Sequence, residues 1–216
     1  MRIGILTLPL HTNYGGILQA YALQTVLERM GHEVVVFDTP KNKVLEILGR
    51  FFHKLFALNL INSFVNKHDN LLKAIISRKI TSFVRKNINL KKVRGFGSLR
   101  EDDFDAIVVG SDQIWRAVYF PRWLEQPLDN AYLSFTNGWN IKRISYAASF
   151  GTDEWEYTDK QTGICRECIK EFDAISVREE SGVDLCKKYF GVNAQQVLDP
   201  TMLLDSVDYF LLFKKR

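Results

Sequence analysis

The stretch that decides the fold is RIGILTLPLHTNYGGILQAYALQTVLERMG, residues 2–31. Residues 2–7 form an apolar run of strand length. After a turn-like loop, Leu18, Ala22, Val26 and Met30 recur every four positions, which is the helical period, and Gly31 stands where a helix C-cap belongs. The stretch is therefore predicted as a strand, a glycine-containing loop and a helix.

Apolar runs of strand length continue along the chain at intervals long enough for helices. After the first run they lie at 33–37, 106–109, 143–148, 174–177 and 196–198. The last intervals hold predicted helices over 159–172 and 179–190. Strands that alternate with helices predict an α/β fold with a Rossmann-like, mostly parallel sheet and flanking helices. Ligands of such sheets bind beyond the carboxyl ends of the strands, so the residues that follow each strand are the candidate site.

A basic helical insert is predicted over residues 41–100, with no strand between 41 and 92. The insert has fourteen Lys and Arg residues against two acids, or +12, whereas the whole chain carries +4. Three interpretations are open: helices packed on the parent domain, contact with an anionic membrane surface or lipid-linked substrate, and nucleic-acid binding, which no recognised motif supports. The two predicted apolar stripes are Val44, Ile47, Leu48, Phe51, Phe52 and Leu55, and then Leu72, Ile75, Ile76, Ile80 and Phe83.

The composition is that of an ordinary globular protein, with 46% hydrophobic and 25% charged residues. No signal peptide and no apolar run of about 18 residues is present, so a cytoplasmic location is expected, peripheral to the membrane if the insert binds lipid. Three cysteines do not predict a disulfide framework. Cys165 and Cys168 form a CxxC in mid-helix without a second ligand pair, so no metal site is predicted.

Two glycines begin the first predicted helix. Gly15 and Gly16 stand where free N–H groups and the helix dipole favour an anionic ligand. A plain tight turn is the alternative, because the dinucleotide fingerprint GxGxxG is absent. His11, earlier in the loop, is either a base or a polar loop residue.

A cluster of small and polar residues follows the strand at 106–109, in the sequence VVGSDQIW. Asp112 in this cluster is a candidate base toward a hydroxyl, or a ligand of a sugar. The alternative is that Asp112 or Ser111 caps the following helix.

Two later strands also end in candidate residues. ISYAASFG places Ser145, Ser149 and Gly151 near a strand end, where they leave room either for a ligand or for a closely packed helix. Arg178 follows the strand at 174–177 and suits bidentate binding of a carboxylate or phosphate. Its alternative role is a salt bridge with Glu179, Glu180 or a neighbouring acid.

Taken in order, NYGGILQAYAL, DAIVVGSDQIW, ISYAASFG, ISVREESG and VLDPTMLL resemble the amino-terminal half of the polysaccharide pyruvyl transferase family. The resemblance covers residues 2–204, and the basic insert is the least typical part. It implies that 1–204 is the N-terminal domain of a two-domain transferase related to GT-B-type glycosyltransferases. Residues 205–216 are then a truncated linker or the start of a missing second domain.

The resemblance also implies the reaction: pyruvate passes from phosphoenolpyruvate, without a cofactor, to a sugar of a cell-surface polysaccharide or its lipid-linked precursor, as a ketal. Arg178 matches the family's SxRE arginine and is expected to bind the donor's anionic groups. Asp112 is expected to orient or deprotonate the acceptor hydroxyl. The expected substrate-binding residues are Asn13, Tyr14, Gly15, Gly16, Gly110, Ser111, Gln113, Ser149 and Gly151.

The same resemblance places a histidine and further basic residues of the donor site in the second domain. The isolated chain is therefore expected to be inactive unless a homo-oligomer or a partner supplies that domain. Two other functions stay open. One is a nucleotide-sugar-dependent glycosyltransferase of the same architecture. The other is a non-catalytic binding or assembly protein that docks a partner through YFLLFKKR at 209–216 and the basic helices of the insert.

Overall fold

Seven parallel strands form the sheet at the centre of the computed structural model, which describes residues 1–10, 13–38 and 65–214. Their order is β3-β2-β1-β4-β5-β6-β7, which confirms the predicted Rossmann-like α/β class. The strands are β1 Arg2–Leu6, β2 Glu33–Asp38, β3 Leu90–Lys92, β4 Ala106–Val109, β5 Lys142–Ala148, β6 Ala174–Val177 and β7 Gln195–Gln196.

The helices connect these strands and cover both faces of the sheet. The α-helices are α1 Tyr14–Arg29, α2 Val65–Asn87, α3 Tyr119–Leu124, α4 Asp159–Ile169, α5 Glu180–Leu185 and α6 Ser206–Lys214. A π-helical turn, Cys186–Phe190, extends α5 and ends at Gly191, whose φ is 72°. Short 3₁₀ segments lie at Phe96–Ser98, Glu101–Asp103, Leu128–Tyr132, Ser134–Thr136 and Pro200–Leu203.

The core lies on both faces because the strand side chains alternate in direction. On one face Ile5 and Val108 pack with Ile17 of α1 and Ile80 of α2. The other face is rich in aromatic residues and includes the fully buried Trp115. Such burial of apolar surface is the main favourable term in folding.

Helix α1 is present as predicted, but of the four residues at the helical period only Ala22 is buried. Ile17, Ala20 and Leu23 are also buried, whereas Met30 is 65% exposed. Gly31 has a φ of 85°, which fits a residue that ends the helix.

The basic insert contains a strand, which corrects the prediction that none lies between 41 and 92. Strand β3 pairs with β2 at the edge of the sheet. Helix α2 packs on the parent sheet, since its residues Ile80 and Val84 are buried, as is Ile88 directly after it. This packing supports the first interpretation for the described part of the insert. The first predicted stripe, at 44–55, lies outside the described residues, as do the side chains of Leu72 and Ile75.

The end of the chain is partly packed on the domain. In α6, Asp208 pairs with Arg29 of α1, with Nη1 and Oδ2 3.0 Å apart. Tyr209 is half-buried, whereas Phe210 is 57% exposed. Within the part of the chain that the structure describes, no helix is long and apolar enough to cross a membrane.

Candidate active site

A cleft of about 580 Å³ opens beyond the carboxyl ends of β1 and β4. The strand order reverses between these two strands, which is where doubly wound sheets bind their ligands. The cleft is lined by Leu8, Pro9, Asn13, Gly15, Gly16, Gln19, Asp112, Gln113, Tyr119, Arg122, Arg178, Asp199 and Thr201. The structure thus brings Asp112, Arg178 and the glycine loop together, as the sequence predicted.

The first turn of α1 forms one wall of the cleft. Asn13 caps this helix, and its Oδ1 accepts a hydrogen bond from the Gly15 N–H at 3.0 Å. A Cβ on Gly16 would lie 2.8 Å from Oδ2 of Asp112, so only glycine allows this approach. The helix and the catalytic candidate Asp112 are therefore in direct contact.

Asp112 is 9% exposed on the floor of the cleft. Its Oδ1 accepts a hydrogen bond from the Gln113 N–H at 2.7 Å. Burial raises the pKa of Asp112, and the nearby charge of Asp199 acts in the same direction, whereas the Gln113 N–H and Arg178 oppose the rise. A buried carboxyl group whose pKa is shifted toward neutrality suits proton transfer.

The alternative role for Asp112 and Ser111, capping of a following helix, is wrong. Helix α3 begins only at Tyr119, and no side chain caps it. The Ser111 hydroxyl instead donates a hydrogen bond to Oε1 of Gln19, which joins the loop after β4 to α1.

Arg178 directly follows β6 and makes the salt bridges of its alternative role, with Glu179 and Asp199, while its role toward a ligand stays a prediction. Its Nε donates to Glu179 at 2.9 Å, and its Nη1 donates to Asp199 at 3.3 Å and to the Ser111 carbonyl at 3.1 Å. Its Nη2 donates to Oγ of Ser149 at 3.1 Å. A guanidinium has five N–H donors, so these contacts occupy four and leave one for a ligand.

Ser149 and Gly151 support this cluster from the loop after β5. The Ser149 hydroxyl donates to Glu179 at 2.7 Å and accepts from the Gly151 N–H at 3.0 Å. Gly151 has a φ of 67°, and a Cβ there would lie 2.5 Å from the Gln113 side chain. Gly151 therefore makes room for Gln113, which lines the cleft.

Asp199 is the main site residue that the sequence analysis did not select. Its Oδ1 accepts hydrogen bonds from the N–H and hydroxyl of Thr201, at 3.0 and 2.8 Å, while its Oδ2 faces Arg178. The available signal was its place just after the last strand, in VLDPTMLL. Gln19 and Tyr119 gave no such signal.

Several predicted binding residues lie away from the cleft surface. Tyr14 is 60% exposed and lines a second groove on the other side of α1. Gly110 packs close to the Leu6 carbonyl, and Ser111 is 2% exposed behind the cleft. The Ser145 hydroxyl bonds to the backbone of β6. His11 lies outside the described residues.

The CxxC cysteines lie in α4, away from the cleft lining. Cys165 and Cys168 are buried and free, and burial raises the pKa of the Cys168 thiol to about 11. Across residues 1–10, 13–38 and 65–214, no three His, Cys, Asp or Glu side chains are grouped to hold a metal ion.

Fold and site together define a Rossmann-like α/β protein with a polar ligand cleft at the switch point of its parallel sheet. The sequence model described as polysaccharide pyruvyl transferase matches residues 13–215, and the chain belongs to this family. The match confirms the resemblance seen in the motifs and spans every part of the cleft except Leu8 and Pro9. No curated protein and no solved structure matches the chain significantly.

Proposed function

We propose that the chain forms the acceptor side of a pyruvyl transferase site. The reaction transfers pyruvate from phosphoenolpyruvate to a sugar of a cell-surface polysaccharide or its precursor, as a ketal. The observation that carries the proposal is the cluster of Asp112, Arg178 and Asp199 in the cleft of a chain that belongs to this family.

The charges of this cluster favour sugar hydroxyls over a phosphate alone. Three carboxylates, those of Asp112, Glu179 and Asp199, surround the single guanidinium of Arg178. Two of these carboxylates, Asp112 and Asp199, line the cleft and can reach a ligand. Hydroxyl groups can donate to such carboxylates, whereas a phosphate would be repelled by them.

The donor carries a carboxylate and a phosphate and needs cations. Arg178 contributes its remaining N–H, and Arg122 brings a second cation to the same cleft. A bidentate contact from Arg178 requires it to release Asp199 or another present partner. This supports a site in which Arg178 contacts the donor while the carboxylates hold the acceptor.

In the proposed reaction the methylene carbon of phosphoenolpyruvate gains a proton and becomes a methyl group. One sugar hydroxyl attacks C2, the C–O bond to phosphate breaks with its electron pair leaving on phosphate, and a second hydroxyl closes the ketal. The two hydroxyls release two protons, which balance the proton gained by carbon and the one carried by the phosphate. Asp112, at the floor of the cleft, accepts the proton of the attacking hydroxyl.

A displacement titration tests the proposal. Phosphoenolpyruvate is titrated into the purified chain by calorimetry, alone and with a nucleoside diphosphate as competitor. We expect weak binding, because further donor-site residues belong to the second domain, and we expect Arg178→Ala to abolish it and the nucleoside diphosphate to displace it poorly. Arg166→Ala is the control, because this arginine hydrogen-bonds the Tyr189 carbonyl outside the cleft. Tighter, Arg178-dependent binding of the nucleoside diphosphate would overturn the proposal in favour of a nucleotide-sugar glycosyltransferase.

A further inference from the structure

A second groove, of about 650 Å³, lies between α1, α2 and α6. Its lining is mostly apolar and includes Tyr14, Ile17, Leu18, Phe83, Tyr209 and Leu212. Two of these apolar side chains are open to solvent: Tyr14 is 60% exposed, and Leu18 is only half-buried. A mostly apolar concavity of this size is typical of a binding surface for an apolar ligand.

One side of this groove is strongly basic. Lys79 and Lys86 line it, and Arg78 and Arg85 stand beside them on the exposed face of α2. These four residues are spaced so that they share one side of the helix over two turns. The sequence has no acidic residue between 70 and 100. The groove therefore fits a ligand with an apolar chain and an anionic group.

The groove and the cleft lie on opposite sides of the first turn of α1. Tyr14, Ile17 and Leu18 face the groove, whereas the intervening Gly15 and Gly16 face the cleft. An α-helix is only about 10 Å wide, so a single ligand can reach both sides.

A hydrogen bond also joins the two sites. The Tyr209 hydroxyl, in the groove, donates to the carbonyl of Thr201 at 2.7 Å, and Thr201 lines the cleft. Asp199 in turn holds the Thr201 hydroxyl and faces Arg178. The groove wall is therefore continuous with the carboxylate cluster of the cleft.

We propose that this groove binds the hydrocarbon chain of a phosphorylated lipid, with the phosphate against Lys79 and Lys86 and the attached sugar in the cleft. The lipid is then the carrier of the acceptor sugar. The position of the sugar rests on the proposed function, whereas the binding of the chain and phosphate rests on the groove alone. The basic side and the continuity with the cleft favour this occupant over a second protein chain.

Direct binding of a soluble anionic amphiphile tests the groove. Dodecyl phosphate is titrated into the purified chain by calorimetry below its micellar concentration, with dodecyl maltoside and inorganic phosphate as matched probes. We expect saturable binding of one dodecyl phosphate per chain, weaker binding of the neutral maltoside, and no displacement by inorganic phosphate. Binding only to micelles or to anionic phospholipid vesicles would overturn the proposal, because it would indicate a membrane surface as the partner.

Two variants with matched controls locate the ligand. Leu18→Gln places an amide in the groove and is expected to weaken dodecyl phosphate binding about tenfold, because the amide loses water without gaining a partner. Ile164→Gln is its control, since Ile164 is 44% exposed on α4. Lys79→Gln is expected to weaken binding of dodecyl phosphate but not of the maltoside, and the exposed Lys160→Gln is its control. Unchanged affinity in both groove variants would overturn the proposal.

Failure of the groove proposal can be distinguished from failure of the proposed function. Arg178→Ala is expected to leave dodecyl phosphate binding unchanged, because Arg178 does not line the groove. If the chain binds the amphiphile but not phosphoenolpyruvate, the groove stands and the proposed reaction fails. If it binds phosphoenolpyruvate while Leu18→Gln and Lys79→Gln leave amphiphile binding unchanged, the groove proposal fails alone.

Discussion

Oδ2 of Asp112 lies so close to the backbone of Gly16 that a Cβ on Gly16 would be 2.8 Å from it. Replacing glycine by alanine within a helix usually stabilises a protein by about 0.5–1 kcal/mol. Here we expect the opposite sign, a loss of about 1–3 kcal/mol, because the new methyl group must displace the carboxylate or the first turn of α1. Urea unfolding of Gly16→Ala measures this change.

Gly163→Ala is the matched control for this substitution. Gly163 also lies within a helix, α4, but a Cβ there would meet nothing within 4 Å. We expect Gly163→Ala to stabilise the chain by about 0.5–1 kcal/mol. Equal stabilisation by both substitutions would contradict the close contact between Gly16 and Asp112.

Asp112→Asn is expected to stabilise the chain at neutral pH. Burial raises the pKa of Asp112 above its ordinary value of 3.8, so the folded state binds this proton more tightly than the unfolded state. The contribution of Asp112 to stability is therefore full below the ordinary pKa and is lost as the pH rises through the raised one. An asparagine is neutral at every pH and avoids that loss, so the difference from wild type should vanish below about pH 4.

Asp105→Asn is a control in which the expected change in stability has the opposite sign. The Arg2 N–H and guanidinium bind Asp105, at 2.6 and 3.2 Å, and lower its pKa. Its contribution is therefore present above the ordinary pKa, and Asp105→Asn should destabilise at pH 7 and not at low pH. Urea unfolding from pH 3 to 8 compares the two variants. In an enzyme assembled with the second domain, Asp112→Asn should also reduce pyruvyl transfer by about 100-fold or more, because Asp112 is the proposed base.

The three cysteines are expected to be unreactive in the folded chain. Cys165, Cys168 and Cys186 are all free and buried, and burial raises the pKa of Cys168 to about 11 and of Cys186 to about 12. Thiolates are the reactive species, so few are present at pH 8. An aromatic disulfide reagent should titrate no thiol in native protein and all three in denaturant. Rapid reaction of Cys165 or Cys168 in the native state would reopen a redox role for the CxxC.

The sequence predicted two inner strands at their observed bounds. The runs at 106–109 and 174–177 coincide with β4 and β6, because both are short apolar runs bounded by polar residues. Strand β3, LKK, was missed because it is an edge strand whose lysines carry no strand signal. The four-residue spacing predicted α1 but did not report its packing, because such a spacing drifts around the helix: of its four residues only Ala22 is buried, while packing on β1 and β2 buries Ile17, Ala20 and Leu23.

The site residues that the sequence predicted are those whose position follows from the order of the strands. Asp112 and Arg178 were found because both follow a strand whose carboxyl end opens on the ligand edge of the sheet. Asp199 follows a strand in the same way, but an Asp-Pro pair also suits a simple chain turn. Gln19 and Tyr119 line the cleft through tertiary packing, which no local pattern of residues reports.

Asp199→Asn is expected to free Arg178 for an incoming anion. The substitution removes the charge that faces Nη1 of Arg178 at 3.3 Å, while the amide oxygen can still accept from Thr201. We expect the affinity for inorganic phosphate to rise about two- to fivefold, the range for a partly exposed ion pair. The pKa of Asp112 should fall at the same time, because the charge of Asp199 helps to raise it.

Arg178→Ala is the complementary variant, because it removes the cation that lowers the pKa of Asp112. The Asp112 pKa should therefore rise in Arg178→Ala and fall in Asp199→Asn, while phosphate binding changes in the reverse sense. Carbon-detected NMR titration of the carboxyl groups measures both pKa shifts, and calorimetry measures the binding. If the pKa of Asp112 stays constant in both variants, the three residues do not act as one electrostatic cluster, and the acceptor-side assignment of the cleft loses its main support.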